Sequence, residues 1–362
     1  MKTQYKTDWA LLICTIVASL YGLLLISSAV KSTGSYSNVI VQSAGILMGI
    51  ACMIFISYMD YHAIMEYYKP IFGIYIGFLV LVLIIGIGRE STGTNGWINL
   101  GPVNIQPSEF AKVGFILTFS YHLSLIGNKI TDIRNIALLG LHLLVPLVLI
   151  LLQPDYGTAM VFIFIAIVML FYAGLQIRYF VLAGGTFVLC APLVWKFVLS
   201  PFQRNRILVF LNPEASPMDA GYNVIQSKLA VGSGMISGKG LYEGTQIQMG
   251  FLPGKHTDFI FAVAGEELGF IGSMIIVLLL GFIICRIIYQ ASTVRKDTGA
   301  FLLIGCAAMF LFQTFENIGM CIGIMPVTGI PLPFFSYGGS SVLTSFIAMG
   351  FVLSVLKRRD NI

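Results

Sequence analysis

Residues 250–269 read GFLPGKHTDFIFAVAGEELG and mark the passage from a long polar segment into a strongly apolar one. Pro253 and Gly254 interrupt any structure arriving from the N-terminal side. Lys255, His256 and Asp258 then follow together at the start of a helical pattern. Nowhere else does the chain crowd a cation, an imidazole and a carboxylate against a membrane-type segment. Asp258 is therefore the first candidate for chemistry.

Outward from this stretch the chain is apolar almost throughout. Apolar residues make up 57% and charged residues 10%, whereas roughly a quarter of the residues of a soluble domain are charged. Apolar runs near the ~20 residues that cross a bilayer recur from end to end. They are continuous rather than alternating, which excludes a β-barrel. The expected fold is an all-α polytopic membrane protein with about ten transmembrane helices. They fall over residues 9–30, 39–59, 70–87, 106–126, 136–152, 158–174, 179–199, 258–289, 299–324 and 336–356, within one integral membrane domain spanning residues 1–362. The eighth run is longer than a bilayer needs and is expected to tilt or project.

Lysine and arginine in the short loops set the orientation. Lys2, Lys6, Lys69, Lys129, Arg134, Arg178, Arg286, Arg295, Lys296, Lys357, Arg358 and Arg359 gather on one side, against Lys31 and Arg89 on the other. Both termini are expected in the cytoplasm. Residues 200–257 then form a large extracytoplasmic loop between helices 7 and 8, and Asp258 lies on the outer face of the cell membrane. No cleavable signal peptide is expected, because the first apolar run is membrane-length and lacks a small-residue cleavage site.

Three stretches of the loops stand out. Residues 88–105, rich in turn formers around Trp97, suggest a structured plug; residues 222–236 space their apolar side chains as a surface-lying amphipathic helix does. Residues 326–335, PVTGIPLPFF, hold three prolines and cannot be regular helix. Irregular backbone at that depth must be buried in protein or line a wet cavity. The six cysteines lie in or beside apolar runs without ligand-type spacing and read as apolar fillers. The mild basic excess, without a patch of interleaved aromatics, excludes nucleic acid and suits membrane lipids.

Charged groups inside apolar runs need a reason. Glu109 and Lys112 share a helical face three residues apart, with Pro107 in the first turn. They are either a self-neutralising pair that positions helices or a wall of a substrate cavity. Asp155, in LLQPDYGTAM, is either a helix cap or a lining residue. Glu266 and Glu267 fall about 12 Å deeper than Asp258 on a continuous helix, where structure or gating is the expected role. Asp258 itself is either an ordinary cap, with Thr257 competing, or a general base in a partly dry site that lifts its pKa. Arg204 and Arg206 could clasp phosphate oxygens or lipid headgroups. No nucleotide-binding or nucleophile motif appears, so a transfer reaction must use a donor that arrives activated.

The motifs GKHTDFIFAVAGEELGFIG, PVTGIPLPFFSYGGSS, NGWINLGPVNIQPSEFAK and QPDYGTA together resemble the SEDS family of cell-wall proteins (shape, elongation, division and sporulation). DAGYNVIQSKLAVGSG, GKGLYEGTQIQMGFLPGKHTDFIF and ENIGMCIGIMPVTGIPLPFFSYGGSS resemble its elongation branch more than its division and sporulation branches. The resemblance implies ten transmembrane helices and a peptidoglycan glycosyltransferase that polymerises lipid II on the outer face of the membrane. The implied partners are a class B penicillin-binding protein that cross-links the strands and the elongation machinery. The family's essential outer-loop aspartate maps onto Asp258, and its fourth-helix pair onto Glu109 and Lys112. Asp155 maps near the cavity. Lys255, His256, Arg204 and Arg206 are the remaining candidates for substrate binding. Arg204, Arg206, Lys255 or a divalent ion, Mg²⁺ or Mn²⁺, would balance the charge of the leaving pyrophosphate. Gly254 departs from the family, which often has an acidic residue there. Two rivals stay open beside the enzyme: a lipid II flippase, and a scaffold for the penicillin-binding partner.

Overall fold

The computed structural model describes residues 8–32, 34, 36–88, 94–99, 101, 104–198, 201–215, 221–294 and 297–358. Lys2, Lys6, Arg89, Arg295, Lys296 and Arg359, on which part of the charge-based orientation rests, lie outside the described residues. So do residues 89–93, 100 and 102–103 of the expected plug.

In chain order the helices are α1 (Trp9–Lys31), α2 (Ser37–Tyr58), the short α3 (Tyr61–Glu66), α4 (Tyr68–Ile85), α5 (Pro107–Ile126), α6 (Ile133–Leu152), α7 (Tyr156–Tyr172) and α8 (Ile177–Leu193). They continue as α9 (Pro201–Leu211), α10 (Tyr222–Ser233), α11 (Thr245–Gln248), α12 (Ile260–Glu267), α13 (Gly269–Ala291), α14 (Asp297–Ile322) and α15 (Gly339–Arg358). Between α4 and α5 a small antiparallel hairpin pairs β1 (Ile98–Asn99) with β2 (Asn104–Ile105), and Ile87 bridges to Trp97 beside it.

Among the described residues, nine helices are long and apolar enough to cross a membrane: α1, α2, α4, α5, α6, α8, α13, α14 and α15. The 17-residue α7 is a shorter apolar tenth, about 25 Å long at helical rise. Helices suit this setting because each satisfies its backbone hydrogen bonds internally. The expected multi-pass, all-α membrane fold is the one observed. α14 and α15 occupy the centre, packed against α2, α5, α7 and α13, and carry long runs of buried residues. α8 sits at the opposite extreme, with no buried residue.

The start of α1 shows how sequence fixes a helix end. Asp8 accepts a hydrogen bond from Leu11 N in the first turn. Its other carboxylate oxygen takes Arg286 Nε at 3.0 Å and Gln290 Nε2 at 2.8 Å, tying α1 to the end of α13.

Two expectations are corrected. The eighth apolar run is not one long tilted helix over residues 258–289. It breaks at Leu268 into α12 and α13, because Gly269 adopts φ +65° and lets another backbone approach. Lys239 N and Gly240 N bond the carbonyls of Glu266 and Glu267, so loop residues take the acceptors that a continuous helix would have used. The amphipathic segment 222–236 does form a helix, α10, but its apolar face meets protein. Val224, Ser227 and Ala230 are buried, and Ser227 Oγ donates to Cys321 O of α14 at 2.8 Å.

Residues 326–335 are irregular, as their prolines require. Ile330, Leu332, Phe334 and Phe335 are buried in protein, while Gly329, Ile330 and Pro331 line a cavity. Both conditions for non-helical backbone at this depth are therefore met by one segment.

Candidate active site

Asp258 sits in a tight turn, not on a helix. Thr257 N and Phe259 N both bond Gly254 O at 3.1 Å, and Gly254 turns the chain at φ +67°. That left-handed conformation favours glycine over any residue with a side chain. α12 begins two residues after Asp258, and no side chain caps it. The ordinary cap reading of Asp258 and of Thr257 is thus not what the geometry provides.

Burial pushes the Asp258 carboxyl up from 3.8 to about 6, against the opposing pull of Arg206 and of a hydrogen bond from Thr257. Arg206 comes from α9, a helix in the loop between α8 and α12, and its Nη1 donates to Val327 O at 3.3 Å. Burial lowers the Arg206 pKa, and the Asp258 charge resists that lowering. On the far side, a methyl group added at Gly329 would lie 3.6 Å from Asp258 Oδ2.

Gly329 also faces a small cavity of about 30 Å³, shared with Ile330, Gln106, Glu109, Lys112, Asp155 and Thr158. Lys112 Nζ pairs with Glu109 Oε1 at 2.7 Å, both side chains almost wholly buried. Asp155 does two things at once. It caps α7 through Thr158 N at 3.0 Å, and its Oδ2 accepts from Thr158 Oγ1 at 2.8 Å and Gln106 Nε2 at 3.1 Å on the cavity wall.

The other candidates scatter. Lys255 is buried, and its ammonium donates to Ser32 Oγ and to the carbonyl of Ile247. Burial lowers its pKa, with Glu267 opposing. His256 packs its ring against Tyr337 at 5.4 Å between centroids, and burial followed by the Lys255 charge holds its pKa below the usual imidazole range. Arg204 donates to Lys196 O at 3.0 Å, in the segment that follows α8. The structure therefore brings Asp258 and the cavity of Glu109, Lys112 and Asp155 together at Gly329, with Arg206 acting on Asp258 from α9. It turns Lys255 and Arg204 to other partners.

Glu266 and Glu267 do not lie deeper along a helix that carries Asp258, because α12 brings both against the loop. Glu266 Oε1 accepts Lys239 Nζ at 2.7 Å, Thr245 Oγ1 at 3.1 Å and Gln246 N at 2.9 Å; its Oε2 takes Ile247 N at 3.0 Å. Burial would raise its pKa, but the Lys239 and backbone hydrogen bonds outweigh it and hold the carboxyl below its ordinary value. Glu267 Oε1 accepts Ser28 Oγ and Gln248 Nε2.

Sequence reasoning passed over Glu316 and Asn317 on α14. Glu316 Oε1 accepts Thr328 Oγ1 at 2.7 Å, and Asn317 Nδ2 bonds Asp258 O and Ile330 O. The signal was present in FQTFENIG, where a carboxylate stands inside an apolar run.

Residues 8–361 match the family model of the cell cycle proteins FtsW, RodA and SpoVE, and the chain belongs to that family. It is 35% identical to the peptidoglycan glycosyltransferase MrdB of Escherichia coli K12, over 97% of this chain and 94% of that one. It is 37% identical to the stage V sporulation protein E of Bacillus subtilis, over 98% of each. Among solved structures, one of a peptidoglycan synthase complex that coordinates polymerization and crosslinking superposes with a TM-score of 0.84 at 30% identity, covering 98% of both chains. The rod shape determining protein RodA of Thermus thermophilus superposes at 0.74 with 28% identity, again over 98% of both.

Proposed function

We propose that this protein is a peptidoglycan glycosyltransferase that polymerises lipid II into glycan strands for cell elongation. Asp258 is its general base, at the extracytoplasmic face of the cell membrane. The family and the relatives named as peptidoglycan glycosyltransferases support the reaction. Relatives from the rod-shape and sporulation branches match at similar identity. The elongation assignment is supported by the loop motifs and by the likeness to RodA.

The observation that carries the mechanism is the placement of the Asp258 carboxylate, held by a turn on Gly254 O against Gly329 at the cavity, where burial raises its pKa to about 6 against the pull of Arg206. A base with a pKa just below neutrality is ionised when substrate arrives yet basic enough to take a hydroxyl proton in the transition state. In the proposed step Asp258 takes the proton of the acceptor's GlcNAc 4-hydroxyl. The oxygen forms a bond to the anomeric carbon of the donor's MurNAc as the bond from that carbon to the pyrophosphate breaks. Undecaprenyl pyrophosphate leaves with the bonding pair, and the proton passes from Asp258 to solvent. A single displacement inverts the α donor to a β linkage and requires no nucleophilic carboxylate. Arg206 is the guanidinium best placed to meet the pyrophosphate.

Among the described residues no three His, Cys, Asp or Glu side chains converge. A Mg²⁺ or Mn²⁺ ion would therefore find no dedicated site of protein ligands and would be held by the substrate's own phosphate oxygens and water, leaving the Asp258 carboxylate free to act as the base. Such an ion supplies charge neutralisation at the leaving group. A class B penicillin-binding protein as cross-linking partner is supported by the superposition on a synthase complex. Replacing Asp258 with Asn should abolish polymerisation while the protein still folds and binds lipid II; wild-type turnover by that variant would remove Asp258 from the mechanism.

A further inference from the structure

Three consecutive carbonyls of the Asp258 turn are each taken by a donor from across the site. Tyr337 N donates to His256 O at 2.9 Å, Ser336 Oγ to Thr257 O at 2.6 Å and Asn317 Nδ2 to Asp258 O at 2.8 Å. Asn317 differs from the other two donors because its amide gives a second hydrogen to Ile330 O, also at 2.8 Å. Ile330 and Gly329 form the wall between the Asp258 carboxylate and the cavity of Glu109 and Lys112. One side chain thus joins the turn that carries the base to the segment that shapes its surroundings.

Asn317 is fully buried, and its Oδ1 has no hydrogen-bond partner. The orientation of the amide is fixed by chemistry, since turning it over would set its oxygen against two carbonyl oxygens. An orphaned buried acceptor is costly, because the water it gave up is not replaced by another donor. A residue that breaks the rule of polar satisfaction where two site segments meet is the pattern expected of a functional constraint. The other donor to Asp258 O is the Cys321 thiol at 3.8 Å, a weak one.

We propose that Asn317 is a positioning residue that locks the Asp258 turn to the 329–331 segment, holding the carboxylate where it meets the acceptor hydroxyl. The proposal rests on the glycosyltransferase reading above. Without the amide, the carbonyls of Asp258 and Ile330 face each other with no hydrogen between them, and the turn and the wall separate. The carboxylate then loses part of the burial that raises its pKa.

The test uses the full-length protein with its transpeptidase partner, lipid II as substrate, and the Asn317→Leu and Asn317→Asp variants beside Asp258→Asn. Misplacement of a reacting group by about 1 Å costs up to ~100-fold in rate. The expected result for both Asn317 variants is a kcat lower by roughly 10- to 100-fold with KM for lipid II little changed. In Asn317→Leu the acidic limb of the kcat/KM profile also moves to lower pH. A kcat at the wild-type level, or a fall in kcat with the acidic limb unmoved, overturns the proposal. If Asn317→Leu does not fold, Asn317→Ser, which keeps one donor, is measured by the same two readouts. An active Asp258→Asn removes the underlying reading; an inactive Asp258→Asn beside a fully active Asn317→Leu removes only the role of Asn317.

Discussion

Arg206 is the cation whose charge acts on Asp258, whereas Lys255, three residues before it in the chain, directs its ammonium to Ser32 and the Ile247 carbonyl. Proximity in sequence therefore misleads here, and a helix more than fifty positions upstream supplies the counter-charge. Removing that charge in Arg206→Ala raises the Asp258 pKa further, so the acidic limb of the rate profile moves to higher pH. The donor pyrophosphate loses its partner as well, and KM for lipid II rises roughly 10-fold. Arg204→Ala, which loses a bond to Lys196 O, changes KM by no more than about two-fold. Steady-state polymerisation across pH separates the two arginines.

The raised carboxyl makes a second prediction, in which rate and stability respond differently to pH. Wild-type kcat/KM falls as pH drops through about 6, because the base becomes protonated. The folded-state pKa lies above the ordinary value of 3.8, so the folded protein holds this proton more tightly than the unfolded chain. Between those values stability falls as pH rises, and above about 6 the full penalty of the buried charge is present. Asp258→Asn, inactive, should therefore melt no lower than wild type at pH 7 in detergent.

Glu109 and Lys112 form an ion pair buried on both sides. Removing one partner leaves an uncompensated charge and costs about 3–5 kcal/mol, while replacing both with neutral groups of similar volume is nearly neutral. Lys112→Met alone should destabilise the protein strongly, and Glu109→Gln with Lys112→Met should restore the melting temperature. A pair that only holds helices together would also recover polymerisation in the double variant. A pair that forms the wall of the substrate cavity would not, and the cavity at Gly329 leads us to expect no recovery.

Much of the fold could be read from the chain, because a membrane span is announced by length and hydropathy alone. Among the described residues each of the ten runs is helical over most of its length, the eighth as two helices, and the prolines of residues 326–335 forced an irregular segment that is there. What escaped depended on contacts between distant segments. The break at Leu268 was signalled by Gly269, but the backbone of residues 238–240 that caps it comes from another part of the loop. The turn around Asp258 looked like a helix start because KHTD resembles a capping sequence; only the bonds to Gly254 O show otherwise. Glu109 with Lys112 was legible because i and i+3 are neighbours on any helix. Arg206 was named beside Arg204, and only tertiary structure distinguishes the one that meets Asp258. Asn317 carries no charge, and the motif that holds it marks the family without assigning its amide a role.

Glu266 makes a structural prediction that is independent of catalysis. Its donors come from Ser233 and residues 239–247, and losing it leaves several buried polar groups unpaired, at a cost of roughly 3 kcal/mol. Its folded pKa is held below the ordinary carboxylate value, so this stabilisation is present above that value and is lost as pH falls through the depressed one. Glu266→Ala should lower the melting temperature at pH 7 and open the loop around residues 235–250 to limited proteolysis. Resistance equal to wild type would mean that the loop is held by other contacts.

Whether Asp258 is the base of a lipid II polymerase is decided by one comparison. Purified protein, with and without its penicillin-binding partner, is incubated with labelled lipid II beside the Asp258→Asn form, and the glycan chains are resolved on a gel. The expected result is polymer from the wild type and none from the variant, with equal lipid II binding by both. Polymer from Asp258→Asn at the wild-type rate would contradict the assignment of the base. Absence of polymer from either, with movement of lipid II across reconstituted vesicles, would contradict the enzyme and identify a flippase.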